Sequence, residues 1–369
     1  MKLQSVSVQG FRNLQPQTVV PGERATVFFG DNGQGKTNFI EAVYALVAFR
    51  SFRARTTEEL VGWNLKAARV SAEVATAGLQ RVLQLQVEDG KRLCKLDGKS
   101  VRRDAASLSH IGTVLFVPED LLLPKASPTE RRRFVDLGVF GTNRSYYREA
   151  QAYVKTLKSR NNLLRRAEKP DGTLLDAYDD QLATTGAVVV QRRREWVARL
   201  GPKVAELFQK IHGQPAVAVR YVGHETVNEA VGREQIEAAL RQGLASRREL
   251  DLRRGFSGYG PHKDDLELML GDYPARDHGS QGQLRSLVLA LKLAELDILA
   301  EALGEAPLLL LDDVASELDE ARRGRLFETI AGLGGQTFIT VTDRHFLPRL
   351  SGRLDYRVER GVMNPVLGE

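Results

Sequence analysis

The stretch of sequence that decides the fold is Gly30-Asp31-Asn32-Gly33-Gln34-Gly35-Lys36-Thr37. It fits G-x-x-x-x-G-K-[ST], the phosphate-binding loop of nucleotide hydrolases. Before it, residues 25–29 have the pattern of a short buried strand, and residues 38–49 after it have that of an amphipathic helix. Glycines in such a loop let backbone N–H groups turn toward phosphate. We therefore expect all eight residues to contribute to an ATP site.

Two side chains of this loop have distinct expected roles. Lys36 is expected to reach the β- and γ-phosphates and to assist catalysis, and the Thr37 hydroxyl is expected to hold Mg²⁺. ATP and Mg²⁺ are accordingly the cofactors that the sequence predicts.

A second motif is the apolar run of residues 308–311, which ends in Asp312 and Asp313. Four consecutive leucines leave no face for solvent and predict a buried parallel strand. A carboxylate at the carboxyl end of such a strand lies where open α/β sheets bind ligands. Asp312 is therefore the expected Walker B residue that holds Mg²⁺ with Thr37. Asp313 is the expected catalytic residue that orients or deprotonates the attacking water.

Composition excludes several classes of protein. The 369 residues are 42% hydrophobic, enough for a substantial core, and contain one cysteine, Cys94. A lone cysteine excludes an intrachain disulfide framework and a cysteine-based metal site. The sequence contains no uninterrupted 18-residue apolar run, and its first residues lack the layout of a signal peptide. We expect a cytoplasmic protein without a membrane partner.

Basic residues are unevenly distributed along the chain. Lys and Arg total 53 against 47 Asp and Glu, which gives a net charge of +6, and most arginine runs fall in the middle third. Such a surface suits a polyanion such as DNA, although each run also fits a solvated helix face. The candidate DNA contacts are Arg131, Arg132, Arg192, Arg193, Arg247 and Arg253.

The pattern of the chain predicts two lobes. The first third is rich in strand patterns, whereas residues 130–250 have mostly helical spacing, broken at residues 169–172. Strand patterns return at residues 265–270 and 337–342. We expect an α/β lobe formed by residues 1–117 with 286–369, and an inserted, mostly helical, arginine-rich lobe of residues 118–285.

Two further motifs resemble those of ATP-binding-cassette (ABC) ATPases. Ala315-Ser316-Glu317-Leu318-Asp319 resembles their D-loop, which assigns D-loop roles to Ser316 and Asp319. Gly279-Ser280-Gln281-Gly282-Gln283-Leu284-Arg285 resembles their signature loop through Ser280, Gly282 and Gln283. A helix N-cap at Ser280 is the other interpretation, and it is compatible because capping and anion binding use the same N–H groups. The resemblance implies a head-to-tail dimer in which Ser280 acts in trans on the partner's nucleotide.

Local sequences taken together resemble the RecF family of bacterial recombination mediators. They are Gly10-Phe11-Arg12-Asn13-Leu14, the phosphate-binding loop, Gly260-Pro261-His262-Lys263-Asp264-Asp265, the signature loop, and residues 311–319. The resemblance implies an ABC-type, SMC-head-like ATPase lobe without a long coiled coil.

The same resemblance carries functional expectations. It implies an ATP-induced homodimer that binds double-stranded DNA and gaps or single-to-double-strand junctions. It also implies cooperation with RecR, and through it RecO, in loading RecA during recombinational repair, replication and the SOS response. The activity implied is a weak, Mg²⁺-dependent, DNA-stimulated ATPase in the nucleoid.

Some positions depart from the general ABC pattern. Asp313 stands where most ABC ATPases carry glutamate, and one methylene less predicts slow turnover. Thr342-Asp343 occupies the place of the switch histidine, with His345 two residues on. Glu119 is a weak candidate for the Q-loop position.

Two residues retain alternative interpretations. Arg12 could contact the nucleotide or form a salt bridge at the surface, and the sequence favours neither. For His262, a structural or phosphate-proximal role is favoured over a metal ligand or general base, because no H-x-x-H pair accompanies it.

Two other functions fit a P-loop protein. The ATPase subunit of a transporter usually has a clear Q-loop and switch histidine, which this chain lacks. A P-loop kinase would not need the signature loop or the D-loop. The motifs therefore favour an ATP-gated DNA-binding protein.

Overall fold

The computed structural model describes residues 1–102, 108, 111–166, 171–332, 334–348 and 350–366. They form two compact units. The first unit combines Met1–Leu122 with Arg285–Glu369, and the second is the intervening Leu123–Leu284. The sequence-based divisions, after residue 117 and before residue 286, fall close to these. Of the predicted break at residues 169–172, the first two residues lie outside the described ones.

The described strands, in chain order, are β1 (Lys2–Gln9), β2 (Gln17–Val19), β3 (Ala25–Phe29), β4 (Ala67–Thr76), β5 (Leu79–Glu88), β6 (Lys91–Leu96), β7 (Lys99–Ser100), β8 (Thr113–Phe116), β9 (Val217–Val222), β10 (Asp265–Leu270), β11 (Tyr273–Pro274), β12 (Leu308–Asp312), β13 (Thr337–Val341), β14 (Arg353–Glu359) and β15 (Val362–Val366).

The described α-helices are α1 (Lys36–Ala48), α2 (Pro128–Thr142), α3 (Tyr146–Arg166), α4 (Gly172–Ile211), α5 (Glu225–Glu229), α6 (Gly232–Arg254), α7 (Ala275–His278), α8 (Gln281–Leu303) and α9 (Glu320–Gly332). Short 3₁₀ helices span Glu58–Leu60, Pro118–Lys125, Ala315–Glu317 and Arg344–Phe346.

The described strands of the first unit form two sheets. One is antiparallel with the order β2-β1-β4-β5-β6-β7, and the other has the order β15-β14-β3-β13-β12-β8. In the second sheet, β14, β3, β13, β12 and β8 run parallel, with β15 antiparallel at the edge. Every residue of β12 is buried. The predicted buried parallel strand of residues 308–311 is therefore confirmed.

Aromatic packing fixes α1 against the parallel sheet. The Phe28 ring of β3 lies 4.7 Å from the Phe39 ring of α1, measured between centroids. It also stacks at 5.6 Å on Tyr356 of β14 and at 6.4 Å on Phe338 of β13. Because three strands and the helix share one aromatic cluster, the loop between β3 and α1 is held at both ends.

The second unit is mainly helical, as expected, with one small sheet. Its described strands have the order β11-β10-β9 and are antiparallel. The strand β9 lies inside the region whose spacing predicts helices, because the long helices on either side dominate the pattern there. Close packing is strict in this unit: a Cβ on Gly138 of α2 would lie 2.0 Å from the Trp196 ring of α4.

Two features are absent from the described residues. None of their helices is both long enough and apolar enough to span a membrane. None of their His, Cys, Asp and Glu side chains gather in threes to hold a metal ion. Burial raises the pKa of the Cys94 thiol to about 11, which leaves it protonated and unreactive.

Candidate functional site

The phosphate-binding loop lies between β3 and α1, as its sequence predicts. Gly30, Gly33 and Gly35 have φ angles of 139°, 81° and 117°, which side chains other than glycine rarely adopt. A Cβ on Gly30 would also lie 2.6 Å from the carbonyl oxygen of Val358. Gly35 is the N-cap residue of α1. The glycines thus let the loop turn sharply and leave the first N–H groups of the helix available to an anion.

Lys36 lies folded over its own loop. Its Nζ donates hydrogen bonds to the carbonyl oxygens of Gly30 at 2.6 Å and Asp31 at 2.8 Å. Burial lowers the pKa of the Lys36 ammonium, and the carboxylates of Asp313, Asp312 and Asp31 oppose that shift. Carbonyl oxygens accept the same hydrogen bonds that phosphate oxygens would accept, and the contact of Lys36 with phosphate stays a prediction.

The Walker B carboxylate meets the loop directly. Asp312 Oδ1 accepts hydrogen bonds from Thr37 Oγ1 at 2.9 Å and from Thr340 Oγ1 at 2.7 Å. Burial raises the pKa of Asp312, the two hydroxyl bonds oppose the rise, and the Asp313 charge adds to it. A hydroxyl and a carboxylate oxygen side by side form a hard-oxygen pair of the kind that Mg²⁺ prefers. The donor set therefore fits this ion.

Asp313 has an unusual backbone conformation. Its φ angle is 53°, in the left-handed region, where aspartate is tolerated better than most residues. Its N–H donates to Thr340 Oγ1 at 2.9 Å. Ser316 of the predicted D-loop donates to the Asp313 carbonyl oxygen at 2.7 Å and to Oδ1 at 2.9 Å. The D-loop serine thus positions the carboxylate predicted to act on water.

Asp319, the other D-loop residue, precedes α9. Its carboxylate accepts a hydrogen bond from the backbone N–H of Arg322 at 2.9 Å and forms an ion pair with the Arg322 guanidinium. These contacts lower the pKa of Asp319, the backbone bond being the largest cause. The observed contacts are those of a helix cap, and a role for Asp319 in a dimer stays a prediction.

Arg12 forms an ion pair, as one of its two interpretations predicts, but with a buried carboxylate rather than at the surface. Its Nε and Nη2 each donate at 2.9 Å to the carboxylate of Glu41 in α1. The side chain of Glu41 is fully buried, whereas that of Arg12 is 21% exposed. Ser51 also donates to the same carboxylate. Arg12 therefore ties the chain after β1 to α1, and its contact with a nucleotide stays a prediction.

A cavity of about 900 Å³ opens beside Arg12 in the first unit. Its lining includes Asn13, whose Nδ2 donates to the carbonyl oxygen of Gly33 in the phosphate-binding loop at 3.3 Å. Trp63 also lines it, with 92% of the side chain exposed. Motif reasoning missed Trp63. The sequence Gly62-Trp63-Asn64 could have indicated it, because a tryptophan between two turn-forming residues is expected at the surface. These residues form a turn closed by a hydrogen bond of 3.0 Å from the Leu65 N–H to the Gly62 carbonyl oxygen.

The signature motif spans the start of α8, with Gly279 and Ser280 before the helix and the following residues in its first turns. The Ser280 N–H donates to Gln283 Oε1 at 2.9 Å, and the Gln283 N–H donates to Ser280 Oγ at 3.2 Å. This is a reciprocal capping box. The N-cap interpretation of Ser280 is thus confirmed, and the predicted contacts of Ser280, Gly282 and Gln283 with a partner's nucleotide stay a prediction.

Two of the arginines predicted to contact DNA are inside the second unit. Arg131 is 4% exposed, and its Nε and Nη2 donate to Asp265 at 2.8 and 2.6 Å. Arg193 is 6% exposed and donates to Asp136 at 2.7 and 3.0 Å. Because both are buried and paired with carboxylates, the structure contradicts the prediction that these two contact DNA. Runs of arginine do not distinguish inward from outward side chains.

The other four candidates are at least partly accessible. Arg132 is half-buried and donates to the carbonyl oxygen of Asp264 at 2.7 Å. Arg192 is 37% exposed, with Glu149 and Glu195 at 3.6 and 3.5 Å. Arg247 is half-buried against an aromatic ring, and Arg253 is exposed. DNA contact by these residues stays a prediction.

His262 has the structural role that its sequence context favours. Its Nδ1 shares a hydrogen bond of 2.6 Å with the Tyr153 hydroxyl, and its Nε2 lies 2.9 Å from the carbonyl oxygen of Ser257. Burial is the main cause that lowers the pKa of His262 to about 4. The ring is therefore neutral at neutral pH and fully used in hydrogen bonding.

The parallel sheet, the loop before α1 and the carboxylates at the end of β12 define an ABC-type ATPase of the SMC-head class. A solved SMC head bound to the C-winged helix domain of ScpA shares this fold, with a TM-score of 0.56 at 17% identity over 99% of this chain and 97% of that one. The family model for the RecF/RecN/SMC N terminal domain matches residues 2–354. Within this class, the chain belongs to the RecF family.

Relatives that match along nearly their full length support this assignment. The DNA replication and repair protein RecF of Anaeromyxobacter sp. (strain Fw109-5) is 40% identical over 371 residues, covering 100% of both chains. That of Myxococcus xanthus (strain DK1622) is 40% identical and covers 93% of this chain and 91% of the relative. A solved structure of the recombination mediator protein RecF with ATP, in the RecFOR pathway, has a TM-score of 0.90 at 31% identity over 99% and 97% of the two chains.

Proposed function

We propose that this chain is an ATP-dependent DNA-binding protein that acts in recombinational repair, with ATP closing a homodimer and hydrolysis reopening it. ATP binding is supported by the hydrogen bond of 2.9 Å from Thr37 Oγ1 to Asp312 Oδ1. Beside it, Lys36 Nζ bonds to two loop carbonyl oxygens, and phosphate oxygens can replace them. Separate motifs of the sequence converge there on one arrangement suited to a triphosphate and a divalent cation.

Each polar group at this site has a definite task. Thr37 and Asp312 would hold Mg²⁺, which when bound would neutralise charge on the β- and γ-phosphate oxygens. Lys36 exchanges its bonds to the loop carbonyls for bonds to phosphate oxygens. The N–H groups at the start of α1 bind the same anion through the partial positive charge of the helix end.

Hydrolysis depends on Asp313, which Ser316 holds at 2.9 Å through Oδ1. This carboxylate orients the attacking water and accepts its proton. Because the aspartate side chain is short, we expect a weak ATPase that serves as a reset and that DNA stimulates.

The cavity beside Arg12 suits the nucleobase and ribose. It adjoins the phosphate-binding loop through Asn13, so phosphates on that loop would place the base among its lining residues. Trp63 offers an exposed indole face for stacking, which every purine accepts. A base stacked on Trp63 would explain why this tryptophan is 92% exposed in the free chain although it lies in a hydrogen-bonded turn.

The signature loop provides the second half of a shared nucleotide site. The capping box at Ser280 and Gln283 fixes the start of α8, where the partial positive charge of the helix end attracts an anion. In a head-to-tail dimer this helix end faces the γ-phosphate held by the partner's loop. ATP then joins two chains, and loss of the γ-phosphate weakens the interface.

The named relatives support the cellular role. They are DNA replication and repair proteins, and the solved RecF belongs to the RecFOR pathway. We extend this to double-stranded DNA with gaps or junctions as the substrate, to RecR and RecO as partners that lead to RecA loading, to the SOS response, and to a nucleoid location in the cytoplasm. The accessible arginines of the second unit remain candidate DNA contacts.

Light scattering with ATP and with ADP tests the dimer. The mass of the wild-type chain should double with ATP but not with ADP. Lys36→Met should lose ATP binding and remain monomeric, whereas Lys91→Met, at an exposed hairpin position, should behave as wild type. Ser280→Arg should bind ATP yet remain monomeric, because the defect acts in trans, and Ser280→Thr should dimerise. A Ser280→Arg chain that loses ATP binding as a monomer would refute the shared site.

A further inference from the structure

The segment Gly260–Asp265, which leads into β10, is held from inside the second unit. His262 uses both ring nitrogens, with the Tyr153 hydroxyl and the Ser257 carbonyl oxygen as partners. The carbonyl oxygen of Pro261 accepts a hydrogen bond from Arg193 Nη1 at 2.7 Å. This segment is therefore rigid on its inner side.

The two carboxylates of the segment also point to partners within the unit. Asp264 accepts a hydrogen bond from the Tyr221 hydroxyl, and Asp265 accepts two from Arg131. Lys263 is the one residue of the six that is exposed. The buried Arg131 and Arg193 thus help to fix the backbone on both sides of Lys263.

Aromatic rings accompany the accessible cations of this surface. Lys263 Nζ lies 5.2 Å from the centroid of Phe256, whose side chain is 39% exposed. The Arg247 guanidinium lies 5.7 Å from the centroid of Tyr259. His224 stacks on the same Tyr259 ring at 3.9 Å. Neither Lys263 nor Arg247 has a carboxylate within ion-pair distance among the described residues.

The cations act together on their surroundings. Burial is the first cause that lowers the pKa of His224, and the charges of Arg247 and Lys263 lower it further. The pKa of His262 is likewise lowered by burial and then by Lys263 and Arg132. Because Lys263 influences both imidazoles, Lys263, Arg247 and Arg132 contribute to one local region of positive potential.

We propose that Lys263 and Arg247 bind the phosphate backbone of DNA, and that Phe256 stacks on an unpaired base beside them. The proposal rests on the DNA binding proposed above and names its surface. Cations without carboxylate partners, interleaved with an exposed ring, match the way single-stranded segments are bound. A rigid backbone at Lys263 reduces the conformational entropy lost on binding.

The arginines at the end of α6 have a different explanation. Arg253 and Arg254 lie in the last turn of that helix, where cations stabilise the negative end of the helix dipole. Both are exposed. We therefore leave them out of the proposed surface.

Fluorescence anisotropy with labelled gapped DNA, in the presence of ATP, tests the proposal. Lys263→Ala should reduce the slope of log affinity against log salt by about 1, so that the ratio of wild-type to variant affinity rises about tenfold when the salt concentration falls from 1 M to 0.1 M. Arg247→Ala should have a similar effect, and Lys263→Arg should retain binding. Lys210→Ala is the control, since Lys210 is exposed in the same unit but paired with Glu206 at 2.6 Å.

Two outcomes would overturn the proposal. One is a Lys263→Ala chain that keeps the wild-type affinity and salt slope. The other is a Phe256→Ala chain that weakens binding to gapped DNA and to intact duplex equally, because stacking needs an unpaired base. A wild-type chain that fails to bind DNA with ATP would instead refute the proposed function. Thermal melting and ATP binding should be unchanged in every variant.

Discussion

The nucleotide site of the first unit and the charged interior of the second unit use similar residues in opposite ways. At the nucleotide site, Lys36 bonds to loop carbonyls, and Thr37 shares Asp312 with a second hydroxyl. In the second unit, Arg160 is fully buried and bonds to Asp179 and Asp251 at 2.6 and 2.7 Å. We expect a ligand to replace the bonds at the nucleotide site. The bonds of Arg160, by contrast, join oppositely charged side chains of the interior to one another.

This difference teaches how to read charged residues in such a chain. A buried cation whose partners are carboxylates is neutralised and supports the fold, because unpairing it would strand charges away from water. A cation such as Lys36, which is 6% exposed and bonded to neutral carbonyls, keeps a net charge that an anionic ligand can neutralise. Substitutions in the two regions should therefore separate stability from ligand binding.

The largest effect is expected at Arg160. Arg160→Met should lower the free energy of unfolding by about 3–5 kcal/mol, because Asp251 would remain buried without an ion-pair partner and the buried Asp179 would keep only Arg248. Urea unfolding measures this change. Arg241→Met, which removes an exposed pair with Asp180, should change it by less than about 1 kcal/mol. Equal losses in the two variants would show that the interior network is no different from a surface pair.

Asp312 should show the reverse profile. Asp312→Asn should slow ATP turnover by at least about 100-fold, since it removes a charged ligand of the metal, which corresponds to about 2.7 kcal/mol in the barrier. The free energy of unfolding should stay within about 1 kcal/mol of wild type, because the amide oxygen can still accept from Thr37. A steady-state ATPase assay measures the rate. Unchanged turnover at saturating Mg²⁺ would contradict the assignment.

Trp63 should affect the affinity for ATP and little else. Trp63→Ala should weaken ATP binding about tenfold, within the range of stacking free energies of about 1–3 kcal/mol per base. ATP should quench the fluorescence of wild type but not of this variant, since the remaining Trp196 is 3% exposed in the other unit. Trp63→Phe should retain most of the affinity. Equal binding of inorganic tripolyphosphate by wild type and Trp63→Ala would localise the loss to the base.

The remaining effect depends on pH. Burial is the main cause that raises the pKa of Asp264 to about 6, above its ordinary value of 3.8. Between about pH 4 and 6 the folded state thus binds more protons at Asp264 than the unfolded state, so this group stabilises less as pH rises. Wild type should lose stability relative to Asp264→Asn by at most about 1.4 kcal/mol per pH unit in that window. Denaturant unfolding at several pH values measures the difference, and a constant difference would contradict it.

The motifs of the sequence predicted the first unit better than the second. Residues 25–29 and 308–311 were identifiable because unbroken apolar runs beside glycines or carboxylates have few other interpretations. By contrast, β9 was missed because its six residues lie among long helices. The side chains of Arg131 and Arg193 could not be placed, because a run of arginines has no period that marks its buried members. Ion pairs such as Arg131 with Asp265 join residues far apart in the chain, which local patterns do not reveal.

The left-handed backbone of Asp313 has a consequence for how this protein can evolve. Aspartate and asparagine are among the few residues other than glycine that adopt such a conformation readily. A single substitution to the longer glutamate of faster ABC enzymes would meet backbone strain at φ = 53° and would lose the reach of Ser316. We therefore expect Asp313→Glu to lower the stability of this turn rather than to raise the rate of hydrolysis.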